Sequence, residues 1–125
     1  MPKLEADITK KAITYLNSLD NTLAYKRFAG PGRRGKPDIT GAHNGRRLEI
    51  EMKAGYNMPT DMQRSWIKKW KRFGAISGCA WSIDDVKAIV SGALTCEYCG
   101  RPIESGRFCS EQCAENLNAE VIRTN

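Results

Sequence analysis

The stretch DITGAHNGRRLEIEMK, residues 38–53, decides the fold. It contains two strand-like runs joined at His43-Asn44-Gly45, and an Asn-Gly pair in that position is a strong signal for a β-hairpin. The hairpin places the strand that begins at Asp38 beside the strand that carries Glu51. The sequence therefore predicts that these two carboxylates lie close together.

The second strand of the hairpin has two contrasting faces, because side chains alternate along a strand. Its apolar face carries Leu48, Ile50 and Met52, and its charged face carries Glu49, Glu51 and Lys53. A charged strand face is often solvated. Two carboxylates and an amine in a row can equally hold a metal ion and a water molecule, and the strand by itself leaves both interpretations open.

The elements on either side of the hairpin predict an α/β fold. The residue patterns indicate a helix over 4–19, a strand over 23–28, a helix over 60–73, a strand over 75–81 and a helix over 84–94. This order is typical of a three-layer arrangement in which helices flank a mixed sheet. In the second helix, we expect Met62, Trp66, Trp70 and Phe73 to face the core, with Arg64, Lys68, Lys71 and Arg72 solvated opposite them.

Length and charge limit the classes of function. The 125 residues suit one compact domain with a small appendage. Residues 1–95 hold 17 Lys and Arg against 9 Asp and Glu, whereas residues 96–125 hold 3 against 5. A body with a net charge of +8 suggests a polyanionic partner. The absence of a long apolar run and of a signal-like start predicts no membrane span and no secretion.

Asp38, Glu51 and Lys53 suit metal-assisted hydrolysis of a phosphodiester. Magnesium prefers hard oxygen ligands and needs only a few carboxylates besides water and substrate oxygens. A nearby lysine can orient the attacking water and offset phosphate charge. Glu5 falls within the apolar arc of the first helix, where it either contributes another carboxylate to a metal site or bends out to solvent near the helix start.

The ordered set of these motifs resembles the PD-(D/E)XK nuclease superfamily. Pro37-Asp38 and Glu51-Met52-Lys53 fill the short pattern. The fuller series resembles the virus-type replication-repair nuclease (VRR-NUC) branch over about residues 3–92: Glu5, GKPDI, LEIEMK, then Gln63 ahead of Trp66 and Trp70. The resemblance implies a restriction-endonuclease-like core, namely a mixed sheet flanked by helices.

The resemblance also implies roles for individual residues. Asp38, Glu51 and the backbone carbonyl of Met52 would bind Mg²⁺ or Mn²⁺, and Glu5 would reach the same ion directly or through water. Lys53 would position the nucleophilic water. Gln63 would support the site from the second helix, although Thr60 and Gln63 also fit a capping box. Glu49 has no place in the family pattern and is interpreted as a solvated or salt-bridged neighbour.

The function that the resemblance implies is that of a DNA endonuclease that leaves a 5′-phosphate and a 3′-hydroxyl. Small members resembling this branch suggest phage or mobile-element origin, action on branched or junction DNA, and residence in a bacterial or phage-infected host cytoplasm. The small body suggests a homodimer. Two rival hypotheses are a catalytically inactive nucleic-acid-binding module and a zinc-stabilised protein-interaction adaptor.

The loop before Asp38 carries cations that are well placed to meet DNA. Arg33, Arg34 and Lys36 precede the first carboxylate, and we expect phosphate contacts from them, with a solvated loop as the alternative. Cys79 lies in an apolar strand and is expected to be a buried, unreactive thiol.

Four cysteines dominate the C-terminal segment. Residues 1–94 form the predicted nuclease domain, and residues 95–125 contain Cys96, Cys99, Cys109 and Cys113 in a C-x2-C-x9-C-x3-C arrangement. Such spacing suits a tetrahedral structural zinc ion, with disulfides as the alternative. Ser110 is a suitable N-cap for a helix that runs to about residue 120. Because this finger is slightly acidic, we expect it to serve stability, dimerisation or partner contact more than general DNA affinity.

Overall fold

The computed structural model of the protein describes residues 3–124. Within this range the chain forms α1 (Lys3–Asn17), β1 (Thr22–Lys26), β2 (Ile39–His43), β3 (Arg46–Met52), α2 (Asp61–Arg72), β4 (Ile76–Ala80), α3 (Ile83–Val90), β5 (Leu94–Thr95), β6 (Pro102–Ile103) and α4 (Glu111–Thr124). In the part of the chain so described, every helix is too short or too polar to cross a membrane.

The main sheet has four strands in the order β1-β2-β3-β4. β2 is antiparallel to both β1 and β3, whereas β4 runs parallel to β3. Asn44 and Gly45 both have positive φ, at 50° and 80°, as a tight two-residue hairpin turn requires. The predicted hairpin and the predicted mixed α/β sheet are therefore confirmed.

The apolar face of the sheet is covered by α1 and α3. Leu48, Ile50 and Met52 are fully buried there against side chains such as Leu16 of α1 and Val86 of α3. Ser82 caps α3 because its hydroxyl accepts a hydrogen bond from the Asp85 N–H at 3.1 Å. This face supplies the core that holds the hairpin in register.

The opposite face of the sheet is covered by α2 over β3 and β4. The Ser77 hydroxyl of β4 donates to the Ile67 carbonyl of α2 at 2.9 Å. The predicted apolar stripe of α2 is wrong at both ends, since Met62 is 49% exposed and Phe73 is 72% exposed. Ile67 is buried instead, and Trp66 and Trp70 are half-buried. The reason is that α2 covers only two strands, so its buried face is narrow.

The cysteine segment packs directly on the free edge of β4. The Gly100 carbonyl accepts a hydrogen bond from the Cys79 N–H of β4 at 3.0 Å, and β6 contacts both β4 and α3. Trp81, the residue after β4, packs against the buried cysteines. The finger, residues 95–124, therefore shields an edge that would otherwise expose unpaired backbone groups.

Candidate active site and metal centre

Asp38 and Glu51 lie opposite each other at one end of the hairpin. Ile39 pairs with Ile50 in the β2–β3 ladder, which places the two acidic residues as the next pair. The Asp38 N–H donates to Glu51 Oε1 at 3.1 Å, and the Met52 N–H donates to Asp38 Oδ2 at 3.1 Å. Both carboxylates are buried. The backbone of the hairpin thus fixes the pair that the sequence predicts.

Lys53 lies directly beside this pair. Its Nζ is 3.2 Å from Glu51 Oε2. The Lys53 N–H donates to the Ala80 carbonyl at 2.9 Å, so the residue is anchored to β4 although it follows the last residue of β3. The predicted constellation of Asp38, Glu51 and Lys53 is therefore brought together on one face of the sheet.

Arg33 completes the contacts of Asp38. Its Nη2 lies 2.7 Å from Asp38 Oδ1, and its Nη1 donates to the Lys36 carbonyl. The sequence predicts a phosphate contact for Arg33, and in the structure without DNA its guanidinium contacts the acidic pair. Arg34 is exposed, and the Lys36 amine lies 5.4 Å from the Trp66 ring centre. The phosphate contacts of these loop cations remain predictions.

The carboxylate oxygens of the acidic pair keep lone pairs for further ligands. Each of its four oxygens accepts one contact: Arg33 and the Met52 N–H on Asp38, and the Asp38 N–H and Lys53 on Glu51. Because a carboxylate oxygen has two lone pairs, one position on each oxygen is left over.

Burial and mutual repulsion make it unfavourable for both carboxylates of the pair to be ionised at once. Burial, reinforced by the neighbouring Asp38, raises the pKa of Glu51 from its ordinary value of 4.5 to about 8, although Lys53 acts in the opposite direction. A cation placed between the two groups would favour the ionised form of both. The pair therefore has the donor set and the charge that a hard divalent ion requires.

Replacing Glu51 by Gln is expected to stabilise the magnesium-free protein at about pH 8. A carboxyl whose pKa rises from 4.5 to about 8 on folding reduces the free energy of unfolding as the pH rises through that interval. With about 1.4 kcal/mol per pKa unit, the stabilisation should reach several kcal/mol near pH 8 and vanish below pH 4. Thermal unfolding followed by circular dichroism in buffer without magnesium or chelator measures the difference.

Glu49→Gln is the matched control for that experiment. It removes a buried carboxylate from the same strand face, but one that two arginines contact, so it should lower the melting temperature. The opposite outcome is that Glu51→Gln lowers the melting temperature at pH 8 as much as Glu49→Gln does. That result would mean that the neighbouring Lys53 and Arg33 already offset the negative charge of the acidic pair without a metal ion.

Glu49 has its own network, separate from the acidic pair. It is 0% exposed, and Arg27 Nη2 contacts its two oxygens at 2.6 and 2.9 Å. Arg47 Nε lies 2.7 Å from Oε1, and the Arg47 guanidinium stacks 3.7 Å from the Trp70 ring centre. The salt-bridged interpretation of Glu49 is confirmed, and the solvated one is wrong.

Glu5 and Gln63 are less closely joined to the site. Glu5 is 6% exposed, so it does not bend out to solvent. Among the described residues, the carboxylates of Glu5, Asp38 and Glu51 do not form a group with ligand atoms within 4.8 Å of one another. Gln63 completes the predicted capping box, with its Oε1 2.9 Å from the Thr60 N–H. Their contributions to a metal site remain predictions.

The four cysteines of the finger form a compact group suited to a metal ion. The Sγ atoms of Cys96, Cys99, Cys109 and Cys113 all lie within 4.8 Å of one another, and the cysteines are free rather than disulfide-bonded. Two of the separations, Cys99–Cys109 at 3.7 Å and Cys109–Cys113 at 3.6 Å, match the edge of about 3.8 Å expected for a tetrahedron with Zn–S bonds of about 2.3 Å. The group can therefore hold an ion such as Zn²⁺.

The thiols of this group differ in how readily they ionise. Burial opposes ionisation of Cys96, but hydrogen bonds from the backbone of Cys99, Cys109 and Tyr98 lower its pKa to about 7. Burial raises the pKa of Cys113 to about 11. Because a metal binds the thiolate forms, its binding must release protons and weaken as the pH falls.

Arg64 joins the body to the finger, although the sequence pattern placed it in solvent. It is 5% exposed and forms ion pairs with Asp61 and with Glu120 of α4. Its guanidinium also lies 4.0 Å from the centre of the Tyr98 ring. One feature of the sequence could have predicted that Arg64 is buried. It lies three residues before Ile67, so both side chains are on the same face of the helix.

No protein-family model matches this chain, and no curated protein matches it. Its chemistry is therefore inferred from the side chains that its fold brings together.

Proposed function

We propose that the protein is a divalent-metal-dependent DNA endonuclease with a PD-(D/E)XK core of the VRR-NUC type. The observation that carries this proposal is the contact of Asp38, Glu51 and Lys53 at the open end of the hairpin, with Lys53 Nζ 3.2 Å from Glu51 Oε2. The proposed substrate is branched or junction DNA, and the proposed assembly is a homodimer.

Asp38 and Glu51 would hold the metal ion. Their burial and mutual repulsion fit a cation, and each of their oxygens retains a free position. The Met52 carbonyl is the third ligand in this hypothesis, and Glu5 acts on the same ion directly or through water. When bound, Mg²⁺ or Mn²⁺ polarises a phosphodiester and lowers the pKa of coordinated water.

Lys53 has two tasks in the proposed reaction. Its ammonium stays beside Glu51, where it can orient the attacking water by hydrogen bonding and offset the negative charge that develops on the phosphate. Its side chain is only 14% exposed, so its position is fixed by the protein rather than by solvent. Such fixed charges contribute strongly to catalysis because they need no reorganisation during the reaction.

The charge of the body supports a polyanionic substrate. Residues 1–95 carry a net charge of +8, and exposed Arg34 with half-buried Lys36 lies on the loop that leads to Asp38. These cations would guide a phosphodiester towards the acidic pair, which would otherwise repel it. Arg33 assists by neutralising part of the charge of Asp38.

A cleavage assay tests the proposal. A labelled four-way junction and a linear duplex of the same sequence are incubated with Mg²⁺, with Mn²⁺ or without either ion, in buffer that leaves zinc in the finger. We expect metal-dependent cutting, faster on the junction, with 5′-phosphate and 3′-hydroxyl ends. Salt-sensitive binding without cutting on either DNA would favour the inactive binding module, and absence of binding would favour the adaptor.

A further inference from the structure

A groove separates α2 from the finger. It encloses 380 Å³ and is lined by Ile67, Lys68, Lys71 and Arg72 of the body and by Tyr98 and Leu117 of the finger. Its floor is partly apolar and its α2 wall is cationic. Because both walls are needed, the groove exists only while the finger is folded against the body.

Three cations of the α2 wall form no direct ion pair. Of the ion pairs formed within residues 3–124, none involves Lys68, Lys71 or Arg72. The acidic residues nearby are already engaged, since Glu97 contacts Arg107 and Glu120 contacts Arg64. Glu97 and Glu120 still act on the charge of Lys68, whereas Lys71 faces the like charge of Arg46, so the α2 wall keeps an excess of positive charge.

Lys71 shows this imbalance most clearly. The Lys71 side chain is exposed overall, but partial desolvation by its surroundings, together with the charge of nearby Arg46, lowers its pKa. The Lys71 amine donates to the Thr95 hydroxyl, and Arg46 Nε donates to the Gly74 carbonyl at 2.9 Å, so both cations are held in place by neutral groups. An anion bound here would relieve the repulsion between them.

We propose that this groove is a second nucleic-acid-binding site, in which Lys68, Lys71 and Arg72 contact the phosphates of one strand. From Lys68 to Arg72 the helix rises about 6 Å, which spans roughly two phosphates at about 3.4 Å of axis each. The choice of a nucleic acid as the occupant rests on the proposed function. The site itself rests on the groove and its unpaired cations.

The groove borders the strand next to the acidic pair. Gly100, which lines the groove, accepts a hydrogen bond from the Cys79 N–H, and Cys79 pairs with Glu51 in the β3–β4 ladder.

The double variant Lys68→Gln/Lys71→Gln tests the second site. Both residues are exposed, and neutral glutamine avoids placing new negative charge beside Glu97 and Glu120. Fluorescence anisotropy in magnesium-free buffer measures DNA affinity at several salt concentrations. For a duplex of about 20 base pairs we expect about ten-fold weaker binding. The slope of the logarithm of the binding constant against the logarithm of the salt concentration should fall in magnitude by about 2.

Lys10→Gln/Lys11→Gln is the matched control, because it removes the same charge from the exposed surface of α1, across the sheet from α2. It should change affinity by less than two-fold. Melting curves and zinc content of both variants should equal those of the unmodified protein.

Three results would overturn the second site: equal losses in the two double variants, an unchanged salt slope in the α2 variant, or a wild-type protein that binds an acidic peptide but no DNA. These outcomes are separate from the nuclease hypothesis. Wild-type protein that binds DNA through Lys68 and Lys71 but never cuts it would support the groove while refuting the proposed endonuclease.

Discussion

Lys53→Met is expected to reduce metal-dependent DNA cleavage by roughly 10²–10⁴-fold, the usual contribution of a positioned acid–base or water-orienting group. Methionine keeps the length and most of the apolar stem of the side chain but removes the ammonium beside Glu51 Oε2. Single-turnover cleavage of the preferred DNA, at saturating enzyme, measures the chemical step without the contribution of substrate affinity.

The pH dependence of this variant separates two roles of Lys53. Lys53 lowers the pKa of Glu51, so its removal should also make Glu51 harder to ionise and metal binding weaker. If that were its only role, higher pH and more Mg²⁺ would restore cleavage. We expect no such recovery, because the ammonium also orients water and offsets phosphate charge.

Lys26→Met provides the comparison, since it removes an exposed lysine from the edge strand β1. It should cut DNA at nearly the wild-type rate. Cleavage by Lys53→Met within five-fold of that control would exclude Lys53 from the proposed chemistry, provided that both variants melt at the same temperature.

The sequence predicted the part of the site that local structure determines. The Asn44-Gly45 turn fixes the hairpin register, and this register alone brings Asp38 opposite Glu51. Lys53 follows because it is two residues further along the same strand face. The cysteine group was also predictable, since two short loops between closely spaced thiols leave few ways to arrange four ligands.

The features that the sequence did not predict depend on packing between distant segments. Arg64 is buried because α4 returns to place Glu120 beside it, 56 positions later in the chain. The exposure of Phe73 follows from the width of the sheet that α2 covers, which no helical periodicity reveals. Arg33 turns inward because its loop folds back on Asp38, and loop conformation is not encoded by charge.

We propose that the finger depends on a metal ion bound by its four cysteines, and the second large expected effect follows from this dependence. Cys109→Ser should abolish stoichiometric zinc binding and unfold the finger. The finger has two strands of only two residues each, and its buried cluster consists of Cys96, Cys99 and Cys113 with a few aromatic and aliphatic neighbours. A core of this size does not fold without its ion.

Loss of the finger should also weaken the body. Unfolding it removes Glu120 and Tyr98 from Arg64, and it takes the Gly100 carbonyl from the Cys79 N–H. A loss on the order of 2 kcal/mol corresponds to a fall in melting temperature of roughly 5–15 °C for a chain of this length. Zinc content by mass spectrometry, helicity by circular dichroism and the thermal unfolding curve measure the three effects.

Cys79→Ala is the control cysteine variant, because Cys79 is buried in β4 outside the metal group. It should lose some core packing yet retain one zinc ion per chain and the α4 helix. The metal-dependent finger would be refuted if Cys109→Ser kept both its zinc and its helicity. If it lost them while the body melted at an unchanged temperature, the contacts of Arg64 and Gly100 would carry no net stability, and the finger would be an independent unit rather than a support for β4.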